Sequence, residues 1–241
     1  MKIIKIDAID STNRFLKDLA ASNSAENFTV VLAKHQTAGR GQMGETWQSE
    51  SGKNLVMSVL ILNSIVKNAD AFLFNQMVSV SIVEVLQTHQ IPLLSTKWPN
   101  DIMSGNKKIG GVLIENLVRG AQTNSVIGIG LNVNQTIFEN LPNASSLKNV
   151  CLKNFEAEKI GIEIANKIFE NHQLFKSNSL LFIEKYLNNL FMKNVEMTFE
   201  KQNKQRFLGK IVGTSPIGLL EIALENGVLE SFNLKEIKMI Y

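Results

Sequence analysis

The segment Gly39-Arg40-Gly41-Gln42-Met43-Gly44 has the spacing G-x-G-x-x-G, and an indole follows at Trp47. Glycines so spaced let backbone amides close on an anion, Arg40 adds a rigid fork of donors, and Trp47 offers a flat face to a purine. A dinucleotide-binding turn would open an amphipathic helix directly after its glycines. This chain instead continues Glu45-Thr46-Trp47-Gln48-Ser49-Glu50-Ser51-Gly52-Lys53-Asn54, polar and without helical period. A kinase glycine loop would need His-Arg-Asp and Asp-Phe-Gly downstream, and the sequence has neither, nor a P-loop, nor a Gly-x-Ser-x-Gly elbow. What remains is a loop able to hold phosphate and stack a base, which by composition alone is also an ordinary surface hairpin. Arginine is scarce here: Arg14, Arg40, Arg119 and Arg206 are the only ones among 25 basic residues. One kept inside a glycine loop points to a planar, bidentate contact.

Other polar segments stand beside this loop. In chain order they are Asp10-Ser11-Thr12-Asn13, Gln36-Thr37-Ala38-Gly39-Arg40-Gly41, Lys97-Trp98-Pro99-Asn100-Asp101, Lys108-Ile109-Gly110-Gly111-Val112-Leu113-Ile114-Glu115 and Gly128-Ile129-Gly130-Leu131-Asn132-Val133-Asn134. Read singly, Ser11 and Thr12 are helix caps, Pro99-Asn100 is a turn and Lys108 is a solvated turn lysine. His35, His89 and His172 read as structural or superficial.

Taken in order and spacing, the five segments resemble those of biotin protein ligases, over most of residues 1–190. The resemblance implies an α+β fold: a mixed central sheet with flanking helices, similar to the class II aminoacyl-tRNA synthetase core, then a small C-terminal SH3-like β-barrel. It also implies the chemistry. With ATP and Mg2+, biotin becomes biotinyl-AMP with release of pyrophosphate, and the acyl group then passes to a lysine of a biotin carboxyl carrier protein, as in acetyl-CoA carboxylase. Neither step needs a protein nucleophile, so catalysis rests on positioning and on stabilising phosphate charge.

By the same resemblance, Lys108, Arg40 and Asp101 are catalytic. Ser11, Thr12, Asn13, Gln36, Gly39, Gly111, Leu113, Gly128 and Gly130, with Arg40 and Lys108, bind biotin. Gly41, Gln42, Trp47, Asn100 and Asn132, with Arg40 and Lys108, bind ATP, while the metal ligands stay open. Many relatives carry further basic residues where this chain has Gln42, Met43 and Glu45, so weaker retention of biotinyl-AMP is expected, by about 1.5–3 kcal/mol for one missing charge-assisted contact. No helix-turn-helix segment precedes Asp10, as in the short class of the family that lacks a DNA-binding domain. The competing readings are a lipoate protein ligase or octanoyltransferase of the same fold, and a non-enzymatic biotin-binding regulator.

The elements that must position these residues alternate. A strand at Lys2–Asp7 leads to a helix at Ser11–Ala21, then strands at Phe28–Ala33 and Asn54–Leu62 flank the polar loop, and a helix follows at Ala69–His89. Strands are expected at Leu94–Trp98, Lys107–Leu117 and Ser125–Leu131, with a tight turn at Ser104-Gly105-Asn106. Helices resume at Phe155–Phe175 and Ser179–Leu190. Short strands with turns at Asn203-Lys204, Ser215-Pro216 and Asn226-Gly227 complete the chain, placing the catalytic domain at 1–192 and the barrel at 193–241.

The 241 residues suffice for one medium domain with a satellite, and 44% apolar with 20% charged content marks a globular chain. No apolar run reaches the ~20 residues of a spanning helix, and Lys5 and Asp7 interrupt any signal-peptide core. The single Cys151 excludes an intrachain disulfide framework and fits a cytoplasmic, reducing setting. The net charge of +3 is dispersed, so neither nucleic acid nor membrane is an expected partner. Monomer and homodimer both remain open.

Overall fold

The computed structural model describes residues 1–22, 24–65, 70–119 and 122–241. Its larger sheet takes strands β1 (Lys2–Ile9), β2 (Thr29–Gln36), β3 (Leu55–Ile65), β4 (Leu94–Lys97), β5 (Asp101–Ser104), β6 (Lys107–Arg119) and β7 (Gln122–Leu131) in the order β1-β2-β3-β7-β6-β5-β4. β1 and β2 are parallel and every other pair is antiparallel. A parallel neighbour requires a crossover, and helix α1 (Thr12–Ala21) supplies it.

Side-chain alternation divides the sheet into two faces. On β3, Met57, Val59 and Ile61 enter the main core, which also takes the helices α2 (Ala71–Thr88), α4 (Ala157–Ser177) and α5 (Leu180–Asn188). Leu60 faces the other way, with Val31 and Val126, and α1 lays Leu16 and Ala20 on them. Among the described residues only the short α1 packs on this second face, and the polar ends of the strands beside it remain for a site. Leu16 is fully buried, a burial worth about 1.5–3 kcal/mol.

The smaller sheet is antiparallel, with β8 (Glu196–Lys201), β9 (Arg206–Thr214), β10 (Leu220–Leu224), β11 (Leu229–Phe232) and β12 (Ile237–Ile240) in the order β11-β10-β9-β8-β12. Its buried Phe199, Ile211, Leu220 and Ile222 are continuous with the main core. The three expected turns occur, with positive φ at Lys204, Gly218 and Gly227. At Gly218 the main chain abuts α2, since a Cβ there would lie 2.6 Å from Phe72 Cγ. Its carbonyl accepts the Trp98 indole N–H at 2.9 Å.

The structure departs from the sequence reading in places. The strand expected at Leu94–Trp98 stops at Lys97, a cis Trp98–Pro99 bond turns the chain, and β5 starts at Asp101, so Asp101 is a strand residue. A short helix α3 (Leu147–Cys151), capped by Ser146, was not anticipated, and α4 starts at Ala157 rather than Phe155. The expected start of α2 at Ala69 falls outside the described residues. α2 has the length and composition to cross a bilayer, yet it is a core helix whose buried side includes Asn75, Gln76, Ser79 and Ser81.

Candidate active site

The floor of the site is made by alternation on β6 and β7. Residues 112 and 114 point into the core, so Gly111, Leu113 and Glu115 point the other way; on β7 the same parity presents Gly128 and Gly130. Both glycines are required by close approach. A Cβ at Gly128 would lie 2.5 Å from Asn13 Oδ1, and one at Gly130 would lie 2.4 Å from Trp47 Cε2. The indole of Trp47 therefore lies against bare backbone, and its Nε1 is buried without a partner among the described residues.

One end of the cavity is a network of short polar side chains. Ser11 caps α1, accepting from the Arg14 amide at 3.4 Å, so its cap role and its place in the cavity wall coincide. The Thr12 amide donates to Gln36 Oε1 at 2.8 Å, with the Thr12 hydroxyl 2.9 Å from the same oxygen. Ser58, fully buried on β3, lies 2.7 Å from Thr12 Oγ1 and 2.6 Å from Asn13 Oδ1. The Asn13 amide donates to Glu115 Oε2 at 2.8 Å and to the Leu113 carbonyl at 3.3 Å, and Lys17 Nζ reaches Glu115 Oε1 at 2.6 Å.

At the other end Lys108 and Asp101 form an ion pair of 2.6 Å. Lys108 should face the core by strict alternation from Gly111. A bulge on β6 prevents that: Ile102 pairs with Gly110 but Met103 pairs with Lys108, leaving Ile109 as the extra residue. Ile109 is fully buried in the core, and Lys108 emerges on the face of Gly111. Its backbone is fixed on both sides, the amide donating to Asn143 at 2.7 Å and the carbonyl accepting from Ser145 at 2.9 Å. Asp101 is positioned by the preceding turn, where Asn75 donates to the Pro99 carbonyl at 2.8 Å and the Val112 amide donates to the Asn100 carbonyl at 3.0 Å.

The glycine loop closes over the floor as a tight hairpin. Trp47 N donates to the Gly39 carbonyl at 3.0 Å and Gly41 N to the Glu45 carbonyl at 2.7 Å, with Arg40 bridged to Thr46. A 3-10 turn at Gln42–Gly44 forms the tip, where Met43 and Gly44 both have positive φ. Lys235, from the turn between β11 and β12, donates to the Met43 carbonyl at 3.3 Å. The Lys108 ammonium lies 6.0 Å from the Trp47 ring centroid. The enclosed space is about 200 Å3, small beside the ~300–1,000 Å3 of ordinary ligand sites.

The cavity wall brings together the site residues expected from the sequence, apart from two. Gly39 is buried behind the wall, where a Cβ would lie 2.3 Å from the Trp47 carbonyl oxygen; it shapes the loop. Asn132 is also buried, its amide donating to the Ser145 carbonyl at 2.9 Å, so its side chain braces the 141–146 segment and does not reach the cavity. Asn13 and Asn100 reach the wall with their amides already engaged by protein. Sequence reasoning did not assign the side chains that brace Asn13 from behind the wall, Ser58, Glu115 and Lys17. The one legible signal was Ser58 itself, a hydroxyl amid the apolar run Leu55-Val56-Met57-Ser58-Val59-Leu60. Among the described residues no group of three or more His, Cys, Asp or Glu side chains is arranged to hold a metal.

Residues 6–132 match the model of the biotin/lipoate A/B protein ligase family. Over 134 residues the chain is 37% identical to the bifunctional ligase/repressor BirA of Bacillus spizizenii, covering 55% of this chain and 41% of that protein. It is 34% identical over 140 residues to the biotin--[acetyl-CoA-carboxylase] ligase of Mycobacterium tuberculosis, covering 57% of this chain and 51% of that one. The matched segment thus spans about half or less of these relatives. Over nearly its whole length the fold superposes on the biotin protein ligase of Aquifex aeolicus solved with biotin and ATP, with a TM-score of 0.81 at 27% identity, covering 99% of this chain and 98% of that one. With more than half its length matched by the family model, and the site built on that segment, the chain belongs to the biotin/lipoate A/B protein ligase family.

Proposed function

We propose that this protein activates biotin with ATP to biotinyl-5'-AMP and transfers the biotinyl group to a lysine of a biotin carboxyl carrier domain. The observation that carries the reading is a single cavity with polar hydrogen-bonding groups at one end, the Lys108–Asp101 pair at the other and Arg40 in its wall. Such a shape suits a ligand with a urea head, an apolar body and a terminal carboxylate.

In the first step the biotin carboxylate attacks the α-phosphorus and pyrophosphate leaves. Lys108 lies between carboxylate and phosphate and offsets the charge that grows on the phosphate oxygens, and Arg40 holds the same end with a second, fork-shaped cation. Trp47 stacks the adenine. Asp101 would help to hold the magnesium that accompanies the triphosphate, which would supply charge neutralisation. In the second step the carrier amine attacks the acyl carbon, AMP departs, and Asp101 orients that amine. The smaller sheet serves as an SH3-like barrel beginning near 193, and the larger one as a core related in design to class II aminoacyl-tRNA synthetases.

The test is incubation with ATP, magnesium, biotin and an unmodified carrier domain, followed by detection of protein-bound biotin. Labelling is expected with biotin, and Lys108→Ala and Arg40→Ala should each abolish or severely slow it with the fold intact. Labelling with lipoate but not biotin would overturn the substrate assignment. Full activity in both variants would overturn the site.

A further inference from the structure

The polar end of the cavity holds fewer protons than contacts. Three close oxygen–oxygen contacts, Thr12 to Gln36, Ser58 to Thr12 and Ser58 to Asn13, share the two hydroxyl protons of Thr12 and Ser58. The Gln36 oxygen is already served by the Thr12 amide at 2.8 Å. Which contact goes without a proton depends on how Asn13 is turned, because its Oδ1 demands a donor and its Nδ2 would supply one.

Glu115 settles that orientation at 2.8 Å, with the Leu113 carbonyl accepting from the same Nδ2 at 3.3 Å. Burial works against its charge, but hydrogen bonds from Lys17 and Asn13, with the charges of Lys17 and Arg40, hold the carboxyl below the usual carboxylate range. An ionised carboxylate only accepts. Asn13 must therefore turn Nδ2 to Glu115, at 2.8 Å, and Oδ1 to Ser58. The Ser58 proton is committed to Oδ1, and the single Thr12 proton is left to serve both remaining contacts.

The geometry points to Glu115 as a specificity-determining residue that, through Asn13 and Ser58, leaves Thr12 Oγ1 a proton-poor acceptor aimed at a ligand N–H, such as that of a cyclic urea. This rests on the biotin reading of the cavity and adds to it the origin of its donor–acceptor polarity. Glu115 itself touches no ligand and acts through two intermediaries.

Lys17 makes the idea testable, since its ammonium only donates. In Glu115→Gln, Lys17 holds the new Oε1, so Nε2 faces Asn13 and turns it over. Asn13 Nδ2 then donates to Ser58, Ser58 to Thr12 and Thr12 to Gln36, every contact is filled, and Thr12 Oγ1 has one lone pair left for a ligand N–H in place of two. The biotin KM should rise by about tenfold or more, with the ATP KM and kcat moving much less. In Glu115→Gln with Lys17→Met, the amide is free to present its oxygen to Asn13, and the biotin KM should fall back toward wild type. A role limited to the Lys17–Glu115 ion pair predicts the reverse, a double variant no better than the single one. Lys17→Met alone still leaves Glu115 a carboxyl oxygen to accept from Asn13 Nδ2 and should keep a near-wild-type biotin KM, which also serves if Glu115→Gln does not fold.

The proposal is overturned by an unchanged biotin KM in Glu115→Gln, by a double variant that does not recover, or by a large rise in Lys17→Met. A wild-type protein that labels no carrier with biotin refutes the biotin reading instead, before any variant is compared.

Discussion

Gly130→Ala tests the seating of the glycine loop. The new Cβ would lie 2.4, 2.7 and 2.9 Å from three carbons of the Trp47 indole, where ordinary contact begins at 3.4 Å. The ring must withdraw by about 1 Å or tip off the floor, because β7 is a central strand and cannot yield. No hydrogen bond to the indole opposes this, since Nε1 has no partner. Loss of a stacked base costs about 1–3 kcal/mol, so the ATP KM should rise about 5- to 150-fold. The loop contributes little to the core, and the thermal midpoint should stay within about 3 °C. The assay is biotin-dependent exchange of pyrophosphate into ATP, together with tryptophan emission, which should shift to the red because Trp98 stays buried. An ATP KM within twofold of wild type, with unchanged emission, would refute both the seating of Trp47 and its contact with adenine.

Other outcomes follow from the same structure. Tyr186 is fully buried with its hydroxyl unpartnered, and burial, with the Asp101 charge added, pushes the phenol well up. Tyr186→Phe should be neutral or stabilising, by up to about 1 kcal/mol, in urea unfolding; a clear loss would reveal a hydroxyl partner. His172 is fully buried between the edges of Phe28 and Phe74, with Nε2 3.2 Å from the Ser64 carbonyl and Nδ1 without a partner among the described residues. Burial lowers its pKa, the Ser64 contact opposes and Lys176 adds to the lowering. The unfolded chain therefore binds the proton more readily, so the contribution of His172 is complete above about pH 6.5 and declines as pH falls through and below that value. Thermal midpoints at pH 7.5 and 5.5 should show this fall, and His172→Phe should reduce it. Leu16→Ala should cost about 2–5 kcal/mol in urea unfolding, and a smaller loss would mean that α1 is not anchored on the second face of the sheet.

The sequence was most informative where structure is local. Periodicity located the long helices, and tight-turn residues located Gly105, Gly218 and Gly227, because a helix face or a two-residue turn is determined by neighbours along the chain. The segments around Ser11, Gln36, Arg40, Asp101, Lys108 and Gly128 named the wall of the cavity only through their joint resemblance, in order and spacing, to those of biotin protein ligases; read singly they were caps and turns. Short pieces carried less signal. β5 is four residues beside a proline turn and α3 is five residues, too brief for either period to register.

Tertiary structure decided the rest. Alternation along β6 would have sent Lys108 into the core, and only the bulge against β5 returned it to the face of Gly111. Asn132, polar and inside a site-like segment, was spent on the Ser145 carbonyl by the chain folding back over it. Glu115, Lys17 and Ser58 lie far from one another in sequence, and they meet around Asn13 because α1, β3 and β6 converge there. The sequence alone determined which chemical groups are present to line the cavity, the cations Arg40 and Lys108, the carboxylate of Asp101 and the short polar side chains of Ser11, Thr12, Asn13 and Gln36. Their facing, pairing and proton direction were settled by strand register and by packing between distant segments, which no local pattern encodes.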